Sequence, residues 1–270
     1  MKGRGFRIYA IAYLVFLYAP IVLLPIFAFN NSTIISFPLV GFTTKWFAAL
    51  SDDTSLLLAV RHSLIVAVSV SILATTFGVF AARATTRYDF PAKGGIMGLI
   101  MLPLVLPDII IAVALLGAFT NILGVSLNLF TVILGHTLIA TPFTIAILNA
   151  AFQSLDRSLE EAAYDLGETK FSTFRLIILP LVAPGIISSM LIAFTISLDE
   201  YIIAAFLSGA GSATLPVYIF SQFRFPQRVP IIMALGTILV CLSVLLLTVA
   251  EYFRRRGIAK AGGKDTGGFL

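Results

Sequence analysis

The sequence has few charged residues and a single cysteine. Charged residues make up 11% of its 270 positions, whereas hydrophobic residues make up 59%. Because soluble domains carry about 25% charged residues, this composition excludes an ordinary soluble protein and indicates one embedded in a bilayer. Cys241 lies inside an apolar run, so a disulfide framework is excluded. The net charge of +5 does not indicate nucleic-acid binding, because the basic residues cluster at the ends of apolar runs.

Sequence motifs for ATP binding, metal binding and hydrolysis are also missing. No G-x-x-x-x-G-K-[ST] sequence occurs, which excludes a P-loop in this chain. The two histidines, His62 and His136, are isolated, and no Cys/His cluster has metal-ligand spacing. No G-x-S-x-G nucleophile motif is present. We therefore expect no enzymatic activity, no metal and no cofactor in this chain.

Long apolar stretches predict the fold. Six of them could span about 30 Å of hydrocarbon, near residues 8–29, 63–82, 96–119, 131–151, 181–207 and 230–250. They predict an all-α integral membrane protein with six transmembrane helices in one domain, residues 1–256. The first stretch is too long for a signal peptide and contains Pro20 and Pro25, so we expect it to remain as a helix. The Gly- and Lys-rich residues 257–270 are predicted to be a disordered cytoplasmic tail.

The distribution of basic residues predicts the orientation. With six spans both termini lie on one side of the membrane. If that side is the cytoplasm, only Lys45, Arg61, Arg224 and Arg228 of the eighteen basic residues fall outside. The positive-inside rule therefore predicts cytoplasmic N and C termini and a cytoplasmic loop at residues 152–180.

Acidic residues occur inside the predicted spans without a basic residue in mid-span. They are Asp108, Asp199 and Glu200. Asp108 follows Pro103 and Pro107, where the third predicted span should be interrupted or kinked. Each costs about 2.5–3.5 kcal/mol at mid-helix on insertion scales, so each must be neutral, hydrogen-bonded or facing water and a cation. One interpretation is a set of neutral acids that join helices. The interpretation that we favour is an acidic path for a cationic solute, with Asp199 rather than Glu200 pointing into it, since adjacent residues differ by about 100° around a helix.

A short helix is predicted in the loop at residues 152–180. Ser158 and Glu161 have the spacing of a capping box, and Gly167 is placed to end the helix in the left-handed conformation. The intervening residues have an apolar face with helical periodicity, formed by Leu159, Ala162, Ala163 and Leu166. This pattern predicts a helix that docks on another surface, either a partner protein or the membrane and the rest of this chain.

The same loop resembles the EAA loop of ABC importer permeases. The resemblance is carried by Glu161-Ala162-Ala163, by Gly167, and by Ile177-x-Leu179-Pro180 at the family's spacing. It implies the type I importer (MetI-like) permease fold in a bacterial inner membrane. It also implies a coupling helix that docks on a cytoplasmic ATPase subunit, with coupling residues Leu159, Glu161, Ala162, Ala163, Leu166, Gly167, Leu179 and Pro180.

Further segments resemble the spermidine/putrescine permeases within that family. Pro107-Asp108-Ile109, Ser197-Leu198-Asp199-Glu200 and Leu215-Pro216 occur in the order seen there, although position 200 is Glu where Asp is common. The resemblance implies polyamine import, with substrate contacts at Asp108 and Asp199. Implied partners are a homologous second permease, two ATPase subunits that bind ATP and Mg, and a periplasmic binding protein. Another small organic solute, such as an amino acid or an opine-like compound, and an ion-coupled secondary transporter are the alternatives.

Overall fold

The computed structural model describes residues 2–260, which form twelve α-helices joined by short segments. The helices are α1 (Lys2–Ala28), α2 (Lys45–Ser51), α3 (Thr54–Arg87), α4 (Lys93–Met101), α5 (Asp108–Gly117), α6 (Leu129–Gln153), α7 (Ser158–Asp165), α8 (Lys170–Thr173), α9 (Leu179–Asp199), α10 (Ile202–Leu207), α11 (Leu215–Gln222) and α12 (Val229–Lys260). The predicted disordered tail begins in the last turn of α12, and residues 261–270 lie outside the described range.

The long helices confirm a multi-pass membrane protein. Among the described residues, five helices are long and apolar enough to cross a membrane: Gly5–Ala28, Thr54–Arg87, Leu129–Gln153, Lys170–Asp199 and Pro226–Leu245. A sixth span exists if Lys93–Leu104 and Asp108–Ile122 are counted as one broken crossing. Helix α3 begins at Thr54, nine residues before the start of the second predicted span, and Arg61 therefore lies inside this helix.

The third predicted span is broken where its two prolines fall. A 3₁₀ turn at Leu102–Leu104 ends the first half, and the second half begins at Asp108 after a bend of 105°. Pro107, with φ −58° and ψ 135°, is the residue that precedes the new helix. A proline at the start of a helix costs no hydrogen bond, whereas inside the helix it removes one. The predicted interruption at Pro103 and Pro107 is confirmed.

The fifth predicted span, 181–207, is wrong as a single helix. Helix α9 ends at Asp199, and Glu200 has an extended backbone with φ −70° and ψ 117°. A separate helix, α10, follows after Tyr201. The break is stabilised locally, because the Glu200 side chain accepts a hydrogen bond from the backbone N–H of Ile203 at 2.7 Å. The apolar pattern did not predict this break, because only Asp199 and Glu200 interrupt a stretch that is otherwise largely apolar.

Residues Ser55–Phe220 form one compact unit around helix α6. Helix α6 packs against α9 and α10, and α10 also packs against α5. Small residues allow these close approaches, as is usual between membrane helices. At Gly135 of α6, an added Cβ would lie 2.6 Å from Leu207 Cδ1 and 2.7 Å from Ile203 Cγ2. The packing of α10 against α5 and α6 fixes the position of the break between α9 and α10.

The described residues up to Thr54 and from Ser221 onward form a second compact unit. In it α1 and α2 pack against α12. The loop before α2 is held by Asn30, whose side chain accepts from the N–H of Val40 at 3.1 Å. Trp46 donates its indole N–H to the carbonyl of Asn30 at 2.7 Å, and the Lys45 ammonium lies 4.4 Å from its ring centre.

Candidate functional site

Helix α7 has the predicted length but begins differently from the prediction. The helix spans Ser158–Asp165, with Arg157 as its N-cap residue and no capping hydrogen bond from that side chain. The predicted capping box of Ser158 and Glu161 is wrong. Instead, Asp156 Oδ1 accepts the backbone N–H of Ser158 at 2.9 Å. This hydrogen bond holds the pKa of the Asp156 carboxyl below its usual range.

The C-terminal end of α7 depends on Gly167. Its φ of +84° lies in the left-handed region, where residues with a Cβ are strained. The backbone N–H of Gly167 donates to Tyr164 O at 2.9 Å, and that of Glu168 donates to Ala163 O at 3.0 Å. This pair of hydrogen bonds defines a Schellman motif. The predicted role of Gly167 in ending the helix is confirmed.

The apolar face predicted for α7 is mostly exposed. Ala163 is buried, but Leu159 is 42% exposed and Leu166 is 86% exposed. Ala162 and Glu161 are exposed as well. A helix whose apolar side chains face outward presents a surface on which a partner can bind.

Glu160 is buried instead, although no sequence motif marks it as a functional residue. Its carboxylate accepts hydrogen bonds from Arg83 Nη1 at 2.7 Å, Arg83 Nη2 at 2.5 Å and Arg87 Nε at 2.7 Å. The side chains of Arg83, Arg87 and Glu160 are only 10–15% exposed. Hydrogen bonding from Arg83 is the main reason that the pKa of Glu160 is lowered, against the opposing effect of burial. The signal in the sequence was the Arg83/Arg87 pair, one helical turn apart at the end of α3.

Leu179 and Pro180 are the first two residues of α9, and Pro180 does not interrupt the helical path. A continuous helical path runs from Lys170 to Asp199, and the five residues Phe174–Ile178 form a π-helical turn directly before α9. A wider turn at this point accommodates the missing N–H and the ring of a proline.

The three acidic residues of the predicted spans lie in neighbouring elements, because α5 packs against α10, which follows α9 after the break at Glu200. Asp108 is the first residue of α5 and Asp199 is the last of α9, and both are exposed. Glu200 is half-buried, and the charges of Asp108 and Asp199 both act on its carboxyl group. Among the described residues, none of the three forms an ion pair with Lys or Arg. Acidic side chains that have no basic partner among the described residues favour the binding of cations.

The two members of the adjacent acidic pair have different surroundings. Glu200 caps α10 through Ile203, whereas Asp199 makes no side-chain hydrogen bond in the described part of the chain. An aromatic pair follows, since the rings of Tyr201 and Phe220 have centroids 4.6 Å apart. Tyr201 follows Asp199 by two residues and is half-buried, and the face of its ring is a surface that suits an ammonium group.

His136 makes a buried contact between α6 and α9. It is fully buried in α6, and its Nδ1 lies 2.9 Å from the hydroxyl oxygen of Ser197 in α9. This contact joins the two helices just before the Asp199–Glu200 break. The described residues contain no group of three His, Cys, Asp or Glu side chains that could hold a metal ion.

Comparison of the sequence with known protein families shows the family in which this arrangement occurs. Residues 74–257 match the family described as the binding-protein-dependent transport system inner membrane component. The chain belongs to this family. The matched region contains α7, the Gly167 turn and all three acidic residues. Members are permease subunits of ABC importers, and they work with an ATPase, a substrate-binding protein and a second permease. The chain is therefore a transport subunit of the inner membrane and not an enzyme.

Individual relatives agree with the family match. The chain is 36% identical over 247 residues to the putrescine transport system permease protein PotI of Escherichia coli K12, covering 89% of this chain and 87% of that protein. It is 34% identical over 250 residues to the spermidine/putrescine transport system permease protein PotC of Shigella flexneri, covering 93% of each.

A solved structure shows the same fold. A subunit of a bacterial ABC transporter that imports the acidic polysaccharide alginate superposes with a TM-score of 0.70. The superposition covers 94% of this permease and 99% of that chain at 17% sequence identity. The predicted type I importer fold is therefore confirmed.

Proposed function

We propose that this permease forms half of the membrane path of an ABC importer for a small polycationic solute, a polyamine such as putrescine or spermidine. The observation that carries the proposal is the group of three carboxyls at the α5–α10 junction, with no cationic partner among the described residues. The names of the relatives PotI and PotC point to the same solutes.

The acidic group suits an amine better than an anion or a neutral solute. An ammonium about 4 Å from a carboxylate is stabilised by ~4 kcal/mol at an effective dielectric constant of 20. Two exposed carboxylates, Asp108 and Asp199, match a solute with at least two ammonium groups. The same carboxylates repel an anion, and they offer a neutral solute only hydrogen bonds. The Oε1 atom of neighbouring Glu200 caps α10.

We assign the remaining parts of the importer as follows. The basic residues at the ends of the spans support cytoplasmic N and C termini, so that α7 faces the ATPase. Exposed residues of α7 and its turn, Leu159, Glu161, Ala162, Leu166 and Gly167, would contact that subunit. ATP and Mg would bind there and not to this chain. The second permease is proposed to be a homologous chain that forms a heterodimer, and a periplasmic binding protein delivers the solute.

Uptake measurements test the proposal. The complex is purified through a tag on this chain and reconstituted in liposomes, and the import of labelled putrescine and spermidine is measured. Asp108→Asn and Asp199→Asn each remove a charge at nearly constant size, and each is expected to reduce the uptake rate at least about tenfold, equivalent to ~1.4 kcal/mol. The matched control is Asp89→Asn, which removes an exposed carboxylate outside the acidic group. Wild-type complex that hydrolyses ATP but imports neither polyamine would refute the proposed solute.

A further inference from the structure

We infer that Glu160 is a positioning residue that fastens the coupling helix α7 to the membrane-spanning helix α3, so that the two move as one body during transport. The inference rests on the proposed docking of α7 on an ATPase. It adds a second route by which a movement of α7 reaches the membrane, because the chain itself connects α7 only to α6 and, through α8, to α9.

The geometry of the link is that of a rigid joint. Arg83 holds both carboxylate oxygens of Glu160 with its two terminal nitrogens, at 2.7 and 2.5 Å. A two-point contact between planar groups fixes their relative orientation as well as their distance. Arg87 adds a third hydrogen bond through Nε at 2.7 Å. Its Nη2 also donates to the backbone carbonyl of Leu155 at 3.3 Å, just before α7 begins.

Burial distinguishes this link from an ordinary surface ion pair. The three side chains are 10–15% exposed, so water screens their charges weakly. By contrast, the Asp89–Lys93 pair next to the end of α3 spans 3.2 Å, and its aspartate is fully exposed. Exposed pairs of this kind contribute little, whereas the loss of one partner from a buried pair leaves an uncompensated charge. The two pairs therefore offer a matched comparison.

The position of Glu160 on α7 also fits a transmitting role. Glu160 and Ala163, three residues apart, are the buried residues of this helix, while Leu159, Ala162 and Leu166 on the other side are exposed. One side of α7 is thus available to a partner, and the opposite side is joined to α3. A force applied to the exposed side is passed directly to the end of a 34-residue helix.

The test measures coupling and movement in the assembled complex. Glu160→Gln keeps the size of the side chain but removes its charge, and Asp89→Asn is the control. The first readout is the number of ATP molecules hydrolysed per polyamine imported. We expect Glu160→Gln to raise this ratio about tenfold, equivalent to ~1.4 kcal/mol of coupling, with the amount of assembled complex unchanged. Glu160→Asp retains the charge and should restore part of the coupling.

The second readout needs no transported solute. Spin labels are placed at Tyr88→Cys, beyond α3, and Tyr164→Cys, on α7, in a Cys241→Ser background. Both tyrosines line one cavity of about 260 Å³ beside the ion pairs. If α3 and α7 move as one body, the distance between the labels is the same without nucleotide and with ATP and vanadate. Glu160→Gln should then broaden this distance distribution or shift it between the two states.

The label distances decide whether Glu160 joins α7 to α3, whichever solute the complex transports. An unchanged label distance in Glu160→Gln, in both nucleotide states, overturns it even if polyamine import is confirmed. A wild-type complex that imports no polyamine refutes the proposed solute, while the label distances still decide the joint. If Glu160→Gln fails to assemble, Arg83→Lys replaces it, because lysine keeps the charge but cannot make the two-point contact. If Arg83→Lys has the same label distances and the same ratio of ATP hydrolysed to polyamine imported as the wild type, the rigid joint is contradicted.

Discussion

Replacement of Gly167 by valine tests the coupling assignment at one residue. The backbone of Gly167 is left-handed, with φ +84°, and a Cβ built there meets no atom within 4 Å. Valine therefore meets no steric obstacle inside this chain, and its cost comes from the backbone conformation. An L-residue in the left-handed conformation costs ~1–2 kcal/mol, with a β-branched residue at the upper end. That amount loosens the Schellman turn without unfolding a membrane protein of this size.

The expected result of Gly167→Val is uncoupling. The complex should assemble in normal amounts and hydrolyse ATP, while the uptake of solute per ATP falls by a factor of about 5–30, the range equivalent to 1–2 kcal/mol. Assembly is measured by copurification of the ATPase, and the two rates are measured in the same liposomes. Unchanged uptake per ATP would refute the reasoning, because neither the turn nor the added bulk would then matter to docking.

A second substitution at the same position separates strain from bulk. Asparagine tolerates the left-handed conformation far better than valine and adds comparable volume. If the loss of coupling comes from strain in the turn, Gly167→Asn should behave like the wild type. If it comes from bulk on the docking surface, both variants should be uncoupled. In either case, assembly with the ATPase serves as the control for folding.

Three further predictions concern the remaining parts of the structure. Glu200→Gln should keep the cap on α10, since its amide oxygen can still accept the N–H of Ile203, whereas Glu200→Ala should lower the unfolding temperature; equal unfolding temperatures would contradict the cap. The pKa of the Glu160 carboxyl is lower in the folded protein than its unfolded value of 4.5, so its ion pairs stabilise the fold fully above pH 4.5 and lose this contribution as the pH falls below that value. Glu160→Gln should therefore flatten the dependence of the unfolding temperature on pH in this range, and an unaltered profile would contradict the prediction. Gly135→Ala should destabilise the protein by about 1–3 kcal/mol through overpacking against Leu207, as measured by thermal unfolding in detergent.

Local sequence patterns predicted the helices and helix ends that are determined by neighbouring residues in the chain. The apolar runs predicted where helices cross the membrane, and the two prolines predicted the break before Asp108. Gly167 predicted the end of α7, because a left-handed residue after a short helix is determined by its immediate neighbours. In these cases the residues that specify the structure lie within one or two helical turns of it.

Features that depend on distant residues could not be predicted in this way. Glu160 and Arg83 are separated by 77 positions, and only the packing of α7 beside α3 brings them together. Glu161, which is exposed on the docking side, was chosen over its neighbour because the EAA resemblance falls on Glu161. The capping box failed because Asp156 Oδ1, outside the helix, accepts the backbone N–H of Ser158. The break at Glu200 was missed because only Asp199 and Glu200 interrupt a largely apolar stretch.

The most direct test of the central claim is to locate the solute in the assembled importer. We suggest a cryo-electron microscopy map of the complex trapped with ATP and vanadate in the presence of spermidine. The account predicts density for the solute in contact with Asp108 and Asp199 where α5 packs against α10. Spermidine bound elsewhere in the membrane path, with these two carboxyls paired to residues of the second permease, would contradict it.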